Sequence, residues 1–224
     1  MHISISEKTL KSLICKQVDN FFTLENDERK SLLQSLPKAL ARCDENFSQN
    51  TNKYYSDVKG NTLFNPYHSV QYTIFLYFLS SEVASTGNTE LADKLYYLNR
   101  AMNGLDLYYK IELPTIFFSD HPLASVLGRA KYGCYFCFQQ GCTVGNNHGQ
   151  YPIIGDYVRM FANSSIIGEC RIGNNVFIAS GSMVKDIDVP SNTIVFGQSP
   201  QLTFKQMPEE YFLKSSPFKI HSKS

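Results

Sequence analysis

The sequence lacks the features that mark several large classes of protein. Its formal net charge is only +1, so no basic excess indicates nucleic acid or an acidic membrane surface as a partner. The longest apolar run, residues 72–79, is far shorter than the ~20 residues that span a bilayer. No charged and then apolar leader opens the chain. We therefore expect a soluble, cytoplasmic protein that binds neither nucleic acid nor a membrane.

The cysteines give little indication of disulfide bonds or of a metal site. The six cysteines show no spacing typical of a disulfide framework, and Cys134 and Cys137 form a lone C-x-x-C pair. A zinc site would need a second such pair, or histidines at matching spacing, and neither is visible. We therefore expect reduced thiols that pack as small hydrophobic side chains, and no metal.

The chain does contain a repeat with a period of six residues. Every sixth position from residue 154 to residue 184 is aliphatic or Met, and a compact residue follows four positions after each of the first five. This period fits neither an α-helix nor an isolated strand, whose periods are about 3.6 and 2. It is typical of a hexapeptide parallel β-helix, in which three short strands form one triangular coil. The positions are Ile154, Met160, Ile166, Ile172, Ile178 and Val184, with Val158, Ser164, Cys170, Val176 and Ser182 between them.

Counting upstream extends the repeat through bulkier residues. The upstream positions are Val126, Tyr132, Phe138 and Val144. The spacing from Val144 to Ile154 is ten rather than six, so four extra residues are extruded within residues 145–152. Because the coils themselves serve packing, such an excursion is where function is expected.

Residues 1 to about 104 carry helical spacing instead. The pattern predicts a helix after Ser6, a second helix broken or kinked at Pro37, a loop over residues 44–64, and a buried helix over residues 70–79. A further helix should run from residue 90 to 102 and end at Asn103-Gly104. Its apolar face would be Leu91, Leu95, Leu98 and Met102.

Four short motifs punctuate the repeat region. They are Asp120-His121 followed by Val126-Leu127-Gly128; Gln140-Gly141-Cys142-Thr143-Val144-Gly145; Pro152-Ile153-Ile154-Gly155; and the closing Pro190-Ser191-Asn192-Thr193 with Phe196-Gly197-Gln198-Ser199-Pro200. With a helical domain in front of them, these motifs resemble the hexapeptide-repeat acyltransferases, most closely the serine O-acetyltransferases. The resemblance covers residues 105–202 well and the helical part only in outline.

The resemblance implies roles for individual residues. His121 stands where the family has its catalytic histidine, and Asp106, fifteen residues upstream, where it has the aspartate that orients that histidine. Asp120 matches an aspartate that contacts the substrate amine. The co-substrate would be acetyl-CoA, held along Ile178–Met183 and Phe196–Pro200. The cofactor-binding candidates are Gly145, Ala162, Ser180, Gly181, Gly197 and Ser199.

The chemistry of acetyl transfer suits a histidine and a carboxylate. The acceptor hydroxyl must lose its proton as the new bond forms, and a neutral imidazole with a pKa near 6.5 can take it at neutral pH. A carboxylate on the other ring nitrogen would fix the tautomer and stabilise the imidazolium. In the alternatives without a catalytic role, His121 is a structural histidine before Pro122 and Asp106 is an exposed turn residue. His148, in the excursion, is a reserve base, whereas His68 fits a helix N-terminus.

The sequence departs from the family where the acceptor should bind. Tyr151 stands where the family has a second substrate-contacting histidine, and Asn146-Asn147 where it is Gly-rich. Phe161 and Asn163 replace glycines close to the cofactor. We therefore expect acceptor recognition by Tyr151 and His148 to differ, while the reaction type is retained.

These observations predict an α+β protein. Its parts would be an α-helical N-terminal domain (1–104), a left-handed parallel β-helix (105–202), and a partly disordered C-terminal tail (203–224). The resemblance implies a homotrimer with active sites between subunits, which the helical domain could pair into a dimer of trimers.

The leading function is acetyl transfer from acetyl-CoA to the serine hydroxyl, a step of cysteine biosynthesis. One alternative is O-acetylation of a sugar in surface-polysaccharide synthesis, and another is a non-catalytic scaffold. A zinc enzyme on this fold would need three clustered histidines, and only His121 and His148 lie in the β-helix.

Overall fold

The computed structural model describes residues 1–219, which form two compact units. The first comprises Met1–Ser48 and Asn52–Lys110, and the second comprises Gln49–Thr51 and the chain from Ile111 onward. The first unit is helical, and the second is a parallel β-solenoid of about 5 turns. The predicted α+β fold, helices followed by a left-handed parallel β-helix, is confirmed. No helix among residues 1–219 combines the length and apolar character needed to cross a membrane.

Four helices make up most of the first unit, and their ends follow capping signals in the sequence. The Ser6 hydroxyl accepts a hydrogen bond from the Thr9 N–H at 3.1 Å, and the Asn88 side chain accepts one from the Leu91 N–H at 3.1 Å. Gly104 ends the last of these helices with a φ of 61°, a left-handed conformation that favours glycine. The elements are β1 (His2–Ile3), α1 (Glu7–Phe21), α2 (Asn26–Ser48), β2 (Leu63–Phe64), α3 (Ser69–Ser85), α4 (Thr89–Asn103) and β3 (Asp106–Leu107), with a 3-10 turn at Lys53–Tyr55.

Helix α3 is the core of this unit and confirms the predicted buried helix. Its side chains are buried on every side, and Phe75, Leu76 and Phe78 are fully buried. His68 caps its N-terminus by accepting a hydrogen bond from the Gln71 N–H at 3.4 Å, as its position before the helix suggested.

Helices α2 and α4 differ from their predictions. Helix α2 continues through Pro37 and includes residues 44–48, which were expected to be loop. Leu36, Cys43 and Phe47 lie along one fully buried face of α2, and their burial outweighs the ~3 kcal/mol that an interior proline costs. In α4 the buried apolar residues end at Leu98, because Met102 lies in the last turn and is 43% exposed.

The second unit places its short parallel strands on three faces. They are β4 (Phe117–Asp120), β5 (Val126–Leu127), β6 (Lys131–Tyr132), β7 (Phe136–Gln139), β8 (Thr143–Gly145), β9 (Ile153–Ile154), β10 (Arg159–Met160), β11 (Ser165–Ile167), β12 (Arg171–Ile172), β13 (Val176–Ile178), β14 (Met183–Lys185), β15 (Thr193–Gln198) and β16 (Gln201–Gln206). The first face is β5, β8, β11 and β14; the second is β6, β9 and β12; the third is β4, β7, β10, β13 and β15. Each residue therefore pairs with its counterpart one coil away, as Ile154 does with Tyr132 and Ile172.

The six-residue repeat fills the interior of these coils as predicted. The six positions from Ile154 to Val184 are all buried, and none is more than 3% exposed. The compact residues between them, from Val158 to Ser182, are buried to the same degree. Four of them, Val158, Ser164, Cys170 and Ser182, lie in turns directly before a strand, whereas Val176 begins β13.

The upstream extension of the repeat is wrong at its first position. Val126 is 43% exposed, whereas its neighbour Leu127 is 2% exposed and pairs with Val144. Asp120 pairs with Gln139 and Val126 with Thr143, so residues 121–125 make a turn that residues 140–142 make in the next coil. This first turn is therefore two residues longer than its counterpart. The phase error arises further along the chain: Leu127 pairs with Val144 and Tyr132 with Ile154, so the inward positions Leu127 and Tyr132 are five residues apart instead of six.

The C-terminal segment is more ordered than predicted. Strands β15 and β16 form an antiparallel hairpin that crosses the expected start of the tail at residue 203. Helix α5 (Glu209–Lys214) then packs Phe212 against Phe177 and Ile194. The predicted partial disorder is wrong for residues 203–219, because burial of Phe212 anchors them. The rest of the predicted tail, residues 220–224, lies outside the described residues.

Candidate active site

One corner of the β-helix, between its third and first faces, collects the predicted catalytic histidine and several cofactor candidates. We call the stacked turns 121–125, 140–142, 161–164 and 179–182 the histidine corner. Backbone hydrogen bonds join each turn to the next: Gly141 N–H to Leu123 O at 2.9 Å, Asn163 N–H to Gln140 O at 2.9 Å, and Gly181 N–H to Ala162 O at 3.0 Å. The corner is thus one continuous edge of the β-helix, and His121 lies in its first turn.

His121 lies in the enlarged first turn and faces solvent. Its φ is 50° and that of Ala124 is 59°, both in the left-handed region that non-glycine residues rarely adopt. The Leu123 N–H donates to the His121 carbonyl at 2.7 Å and holds the turn. The imidazole is 85% exposed. Strained backbone of this kind persists where the surroundings over-determine it, often at functional sites, and here it holds an exposed imidazole.

Asp120, at the end of β4, uses each carboxylate oxygen differently. Its Oδ1 lies 3.7 Å from His121 Nε2, too far for a hydrogen bond but close enough for a charge interaction. Its Oδ2 accepts a hydrogen bond from Gln139 Nε2 at 3.1 Å. Gln139 ends β7, one coil away, and sequence reasoning missed it. The strand register would have revealed it, because Asp120 and Gln139 are direct partners.

Asp106 belongs to the helical unit and His121 to the β-helix unit. Tyr96 donates its hydroxyl to Asp106 Oδ1 at 2.7 Å, and Arg100 Nη2 lies 3.7 Å from Oδ2. Burial, followed by this hydrogen bond to the carboxylate, raises the pKa of Tyr96, so the phenol remains a donor. The carboxylate of Asp106 is therefore held in a fixed orientation by its own unit, and its predicted role toward His121 stays a prediction.

The excursion predicted between residues 145 and 152 is a tight hairpin turn at another corner. The Asn147 N–H donates to Gln150 O at 3.1 Å, and the Gln150 N–H donates to Asn147 O at 2.9 Å. His148 and Gly149 between them have φ values of 48° and 80°, the positive pair typical of a two-residue hairpin. Asn147 Nδ2 also donates to Asp186 Oδ2 at 2.5 Å. The excursion is therefore anchored by the coils that follow it.

An open groove of about 600 Å³ lies beside this hairpin. Its lining carries three carboxylates, one guanidinium and one imidazole: Asn147, His148, Gln150, Glu169, Arg171, Asp186 and Asp188. We call residues 146–152, 168–170 and 186–188, between the first and second faces, the excursion corner. Tyr151 is 40% exposed there. Because the first face separates the two corners, one chain brings His148 and Tyr151 together but not with His121.

The cofactor candidates are divided between these places, and several already have structural partners. Ala162, Ser180 and Gly181 lie on the histidine corner, whereas Gly145 ends β8 before the excursion. The Ala162 N–H donates to Gln139 Oε1 at 3.1 Å.

The remaining two candidates shape the end of the β-helix. Ser199 Oγ accepts from the Lys185 N–H at 2.8 Å and donates to Met183 O at 3.2 Å. Gly197 has a φ of 90°, and a Cβ there would lie 2.7 Å from Gln201 O, so the β15–β16 hairpin requires glycine. Ser199 and Gly197 could therefore contribute to cofactor binding only by shaping the backbone of this hairpin.

The six cysteines are unpaired by disulfides, and only Cys134 is exposed. Burial raises the pKa of the Cys137 thiol to about 12, so this thiol stays neutral at physiological pH. Within residues 1–219 no three His, Cys, Asp or Glu side chains are grouped to hold a metal ion. The C-x-x-C pair therefore places one accessible and one inert thiol on the chain.

Comparison with known proteins gives a consistent set of similar chains. No family model matches the sequence. The serine acetyltransferase of Synechococcus elongatus is 33% identical over 108 residues, which is 46% of this chain and 44% of that protein. The chain thus spans less than half the length of this curated relative. The resemblance to serine O-acetyltransferases is confirmed at this level.

Solved structures extend the likeness of fold to most of the chain. A Neisseria gonorrhoeae serine acetyltransferase in complex with serine has a TM-score of 0.63 at 24% identity, covering 88% of this chain and 83% of that one. A serine acetyltransferase in complex with CoA has a TM-score of 0.67 at 15% identity, with the same coverage of 88% and 83%. At these identities the likeness shows a shared fold.

Proposed function

We propose that the chain is an acetyl-CoA-dependent O-acetyltransferase whose acceptor is serine. The observation that carries the proposal is the exposed imidazole of His121 on an enlarged turn beside the anchored carboxylate of Asp120. The serine acetyltransferases of similar sequence and fold support the substrate pair. The free cysteines suit a reducing compartment, and we place the reaction in the cytoplasm, as a step of cysteine biosynthesis.

The reaction would use His121 as a general base. The imidazole takes the proton of the serine hydroxyl while the oxygen attacks the thioester carbonyl of acetyl-CoA. The tetrahedral intermediate collapses by breaking the carbon–sulfur bond, and the imidazolium returns the proton to the departing thiolate. Products are O-acetylserine and CoA, with no net proton change. A positioned base of this kind typically contributes about 10²–10⁴-fold in rate.

Two carboxylates would support this base. Asp106, held by Tyr96 and Arg100, would accept from the second ring nitrogen of His121 and stabilise the imidazolium. Asp120 would bind the ammonium group of serine, because its carboxylate is partly exposed and lies next to His121. Ala162, Ser180 and Gly181 would line the cofactor arm on the histidine corner, Gly197 and Ser199 would shape the backbone of the β15–β16 hairpin, and Gly145 lies at the far end of β8.

We further propose that the active site forms between subunits of a homotrimer, which could pair into a dimer of trimers. His121 and the acceptor candidates His148 and Tyr151 lie on different corners of one chain. The first face separates those corners by about three residues, as Thr143–Gly145 does, or roughly 10 Å at about 3.3 Å per residue, which is beyond hydrogen-bond reach. In a cyclic trimer the excursion corner of one copy can face the histidine corner of the next.

A mixed trimer tests this arrangement. One tagged chain carries His121→Ala, and a second, differently tagged chain carries His148→Ala with Tyr151→Ala; the mixture is purified on both tags. If sites form between copies, each mixed trimer has one intact site and should recover about a third of wild-type activity. If each site lies within one chain, every chain is defective, and an inactive mixed trimer would refute the proposal.

An acceptor screen tests the function itself. Purified chain is incubated with acetyl-CoA and either serine, homoserine or nucleotide sugars, and release of the CoA thiol is measured. We expect turnover with serine. Turnover with sugars alone would replace serine by the second candidate, which Tyr151 favours because a neutral phenol can donate to a sugar hydroxyl. Absence of both turnover and calorimetric binding of acetyl-CoA would leave only a scaffold.

A further inference from the structure

Gln139 makes two hydrogen bonds that fix its side chain completely. Its Oε1 accepts from the backbone N–H of Ala162 at 3.1 Å, and its Nε2 donates to Asp120 Oδ2 at 3.1 Å. A backbone N–H can only donate and an ionised carboxylate can only accept, so the two ends of the amide cannot be exchanged. Gln139 therefore spans three successive coils, with β4 on one side and the turn after β10 on the other.

This bridge determines which oxygen of Asp120 faces His121. With Oδ2 taken by Gln139, Oδ1 is the oxygen that lies 3.7 Å from His121 Nε2. A carboxylate held through one oxygen cannot rotate freely, so its second oxygen keeps a fixed direction, which under the proposed function serves the acceptor ammonium. The far end of the same amide holds Ala162, on the turn that carries the cofactor candidates.

We propose that Gln139 is a positioning residue for acetyl transfer, which orients Asp120 toward the acceptor through a bridge anchored on Ala162. The inference rests on the proposed function. Gln139 does not touch the reacting atoms; it acts through Asp120. Its loss should therefore weaken productive binding of serine much more than binding of acetyl-CoA.

Two substitutions separate positioning from mere packing. Gln139→Leu keeps most of the volume but removes both hydrogen bonds. Gln139→Glu keeps the acceptor for Ala162 but replaces the amide donor by a carboxyl group about 3 Å from Asp120, where two negative charges raise the pKa of the pair. At acidic pH the pair holds a proton, so the introduced carboxyl group can donate as the amide did. As the pH rises the proton is lost, and repulsion turns Asp120 away.

Charged groups face position 139 from the coils on both sides and bear on the pH profile of the Gln139→Glu variant. Asp120 and, beyond it, His121 face it from the coil on one side. The other side presents Ala162 and Phe161, with the Arg159 guanidinium carbon 4.7 Å from the centroid of the Phe161 ring. The wild type is measured over the same pH range, so the ratio of the two activities reports what the introduced carboxyl group changes.

The experiment measures kcat and KM for serine and for acetyl-CoA from about pH 5.5 to 8.5. For Gln139→Leu we expect kcat/KM for serine to fall about 10–100-fold, as for loss of a hydrogen bond to a charged group, with KM for acetyl-CoA within about threefold. For Gln139→Glu we expect activity near that of wild type at the acidic end and a loss of about tenfold or more at the alkaline end. Gln34→Leu, on the exposed surface of α2, is the matched control and should behave as wild type.

The outcomes are distinct. Equal serine kinetics for wild type and Gln139→Leu, or a variant-to-wild-type ratio for Gln139→Glu that does not change with pH, overturns the positioning role. An inactive wild type overturns the proposed function and this inference with it. Thermal melting shows whether each variant is folded, and Gln139→Met replaces the leucine variant if that one is not.

Discussion

A column of glycines brings the backbones of successive coils together at one corner, and replacing one of them tests how the β-helix is stacked. A Cβ on Gly133 would lie 2.3 Å from the Gly155 carbonyl carbon and 2.6 Å from the Asp156 nitrogen. Both are backbone atoms that cannot rotate away. Since carbon atoms pack at about 3.5 Å or more, Gly133→Ala must open this corner by about 1 Å.

The expected loss of stability has two parts. Overpacking of this kind costs about 1–3 kcal/mol. Opening the corner also strains the hydrogen bond from Gly133 N–H to Ile154 O at 2.8 Å and that from Lys131 N–H to Pro152 O at 3.0 Å, each worth about 0.5–1.5 kcal/mol. We therefore expect the free energy of unfolding to fall by about 2–5 kcal/mol, a large share of the ~5–15 kcal/mol typical of a folded domain.

Urea unfolding followed by circular dichroism at one protein concentration provides the measurement. With a slope of about 2 kcal/mol per M, the midpoint should fall by about 1–2.5 M. Gly145→Ala is the matched control, because a Cβ there meets nothing within 4 Å, and its midpoint should stay within about 0.5 M of wild type. Equal midpoints for the two variants would contradict the stacking described for this corner.

Three further expectations concern the base, a buried thiol and the C-terminal helix. His121→Ala should lower kcat about 10²–10⁴-fold in a folded protein, and near-wild-type turnover would exclude His121 as the base. Burial raises the pKa of Cys137 to about 12 in the folded chain, whereas the unfolded thiol ionises at about pH 8.5. The free energy of unfolding should therefore decline as the pH rises above about 8.5. Cys137→Ala should flatten that decline in urea titrations at several pH values. Phe212→Ala should lower the unfolding free energy by about 3 kcal/mol, because Phe212 is buried against Phe177, whereas exposed Tyr211→Ala should cost under about 1 kcal/mol; equal losses would argue against the packing of α5.

The sequence was informative where one residue type recurs for one physical reason. The positions from Ile154 to Val184 are predictable because each coil presents the same interior to the same neighbours. The helix starts at Ser6 and Asn88 were predictable because capping is a local interaction. The buried helix over residues 70–79 was predictable because no face of it is polar.

The predictions that failed concern features that the local sequence does not reveal. The phase error at Val126 arises because one residue fewer between Leu127 and Tyr132 leaves no mark in composition. Helix α2 passes Pro37 because Cys43 and Phe47 find buried places that only the folded unit provides. Gln139 became a candidate only once strand register placed it beside Asp120. The site residues themselves were proposed from a resemblance, and their roles stay predictions.

The enlarged turn at residues 121–125 has a consequence for how such a protein can acquire chemistry. The strands on either side keep their register with the next coil: Asp120 still pairs with Gln139 and Leu127 with Val144. An insertion at a corner therefore leaves the ladder intact and changes only what projects from the edge. The hairpin at Asn147–Gln150 is a second insertion, at another corner and in the following coil. A loop can therefore be inserted at any coil and at any of the three corners without disturbing the pairing of the strands.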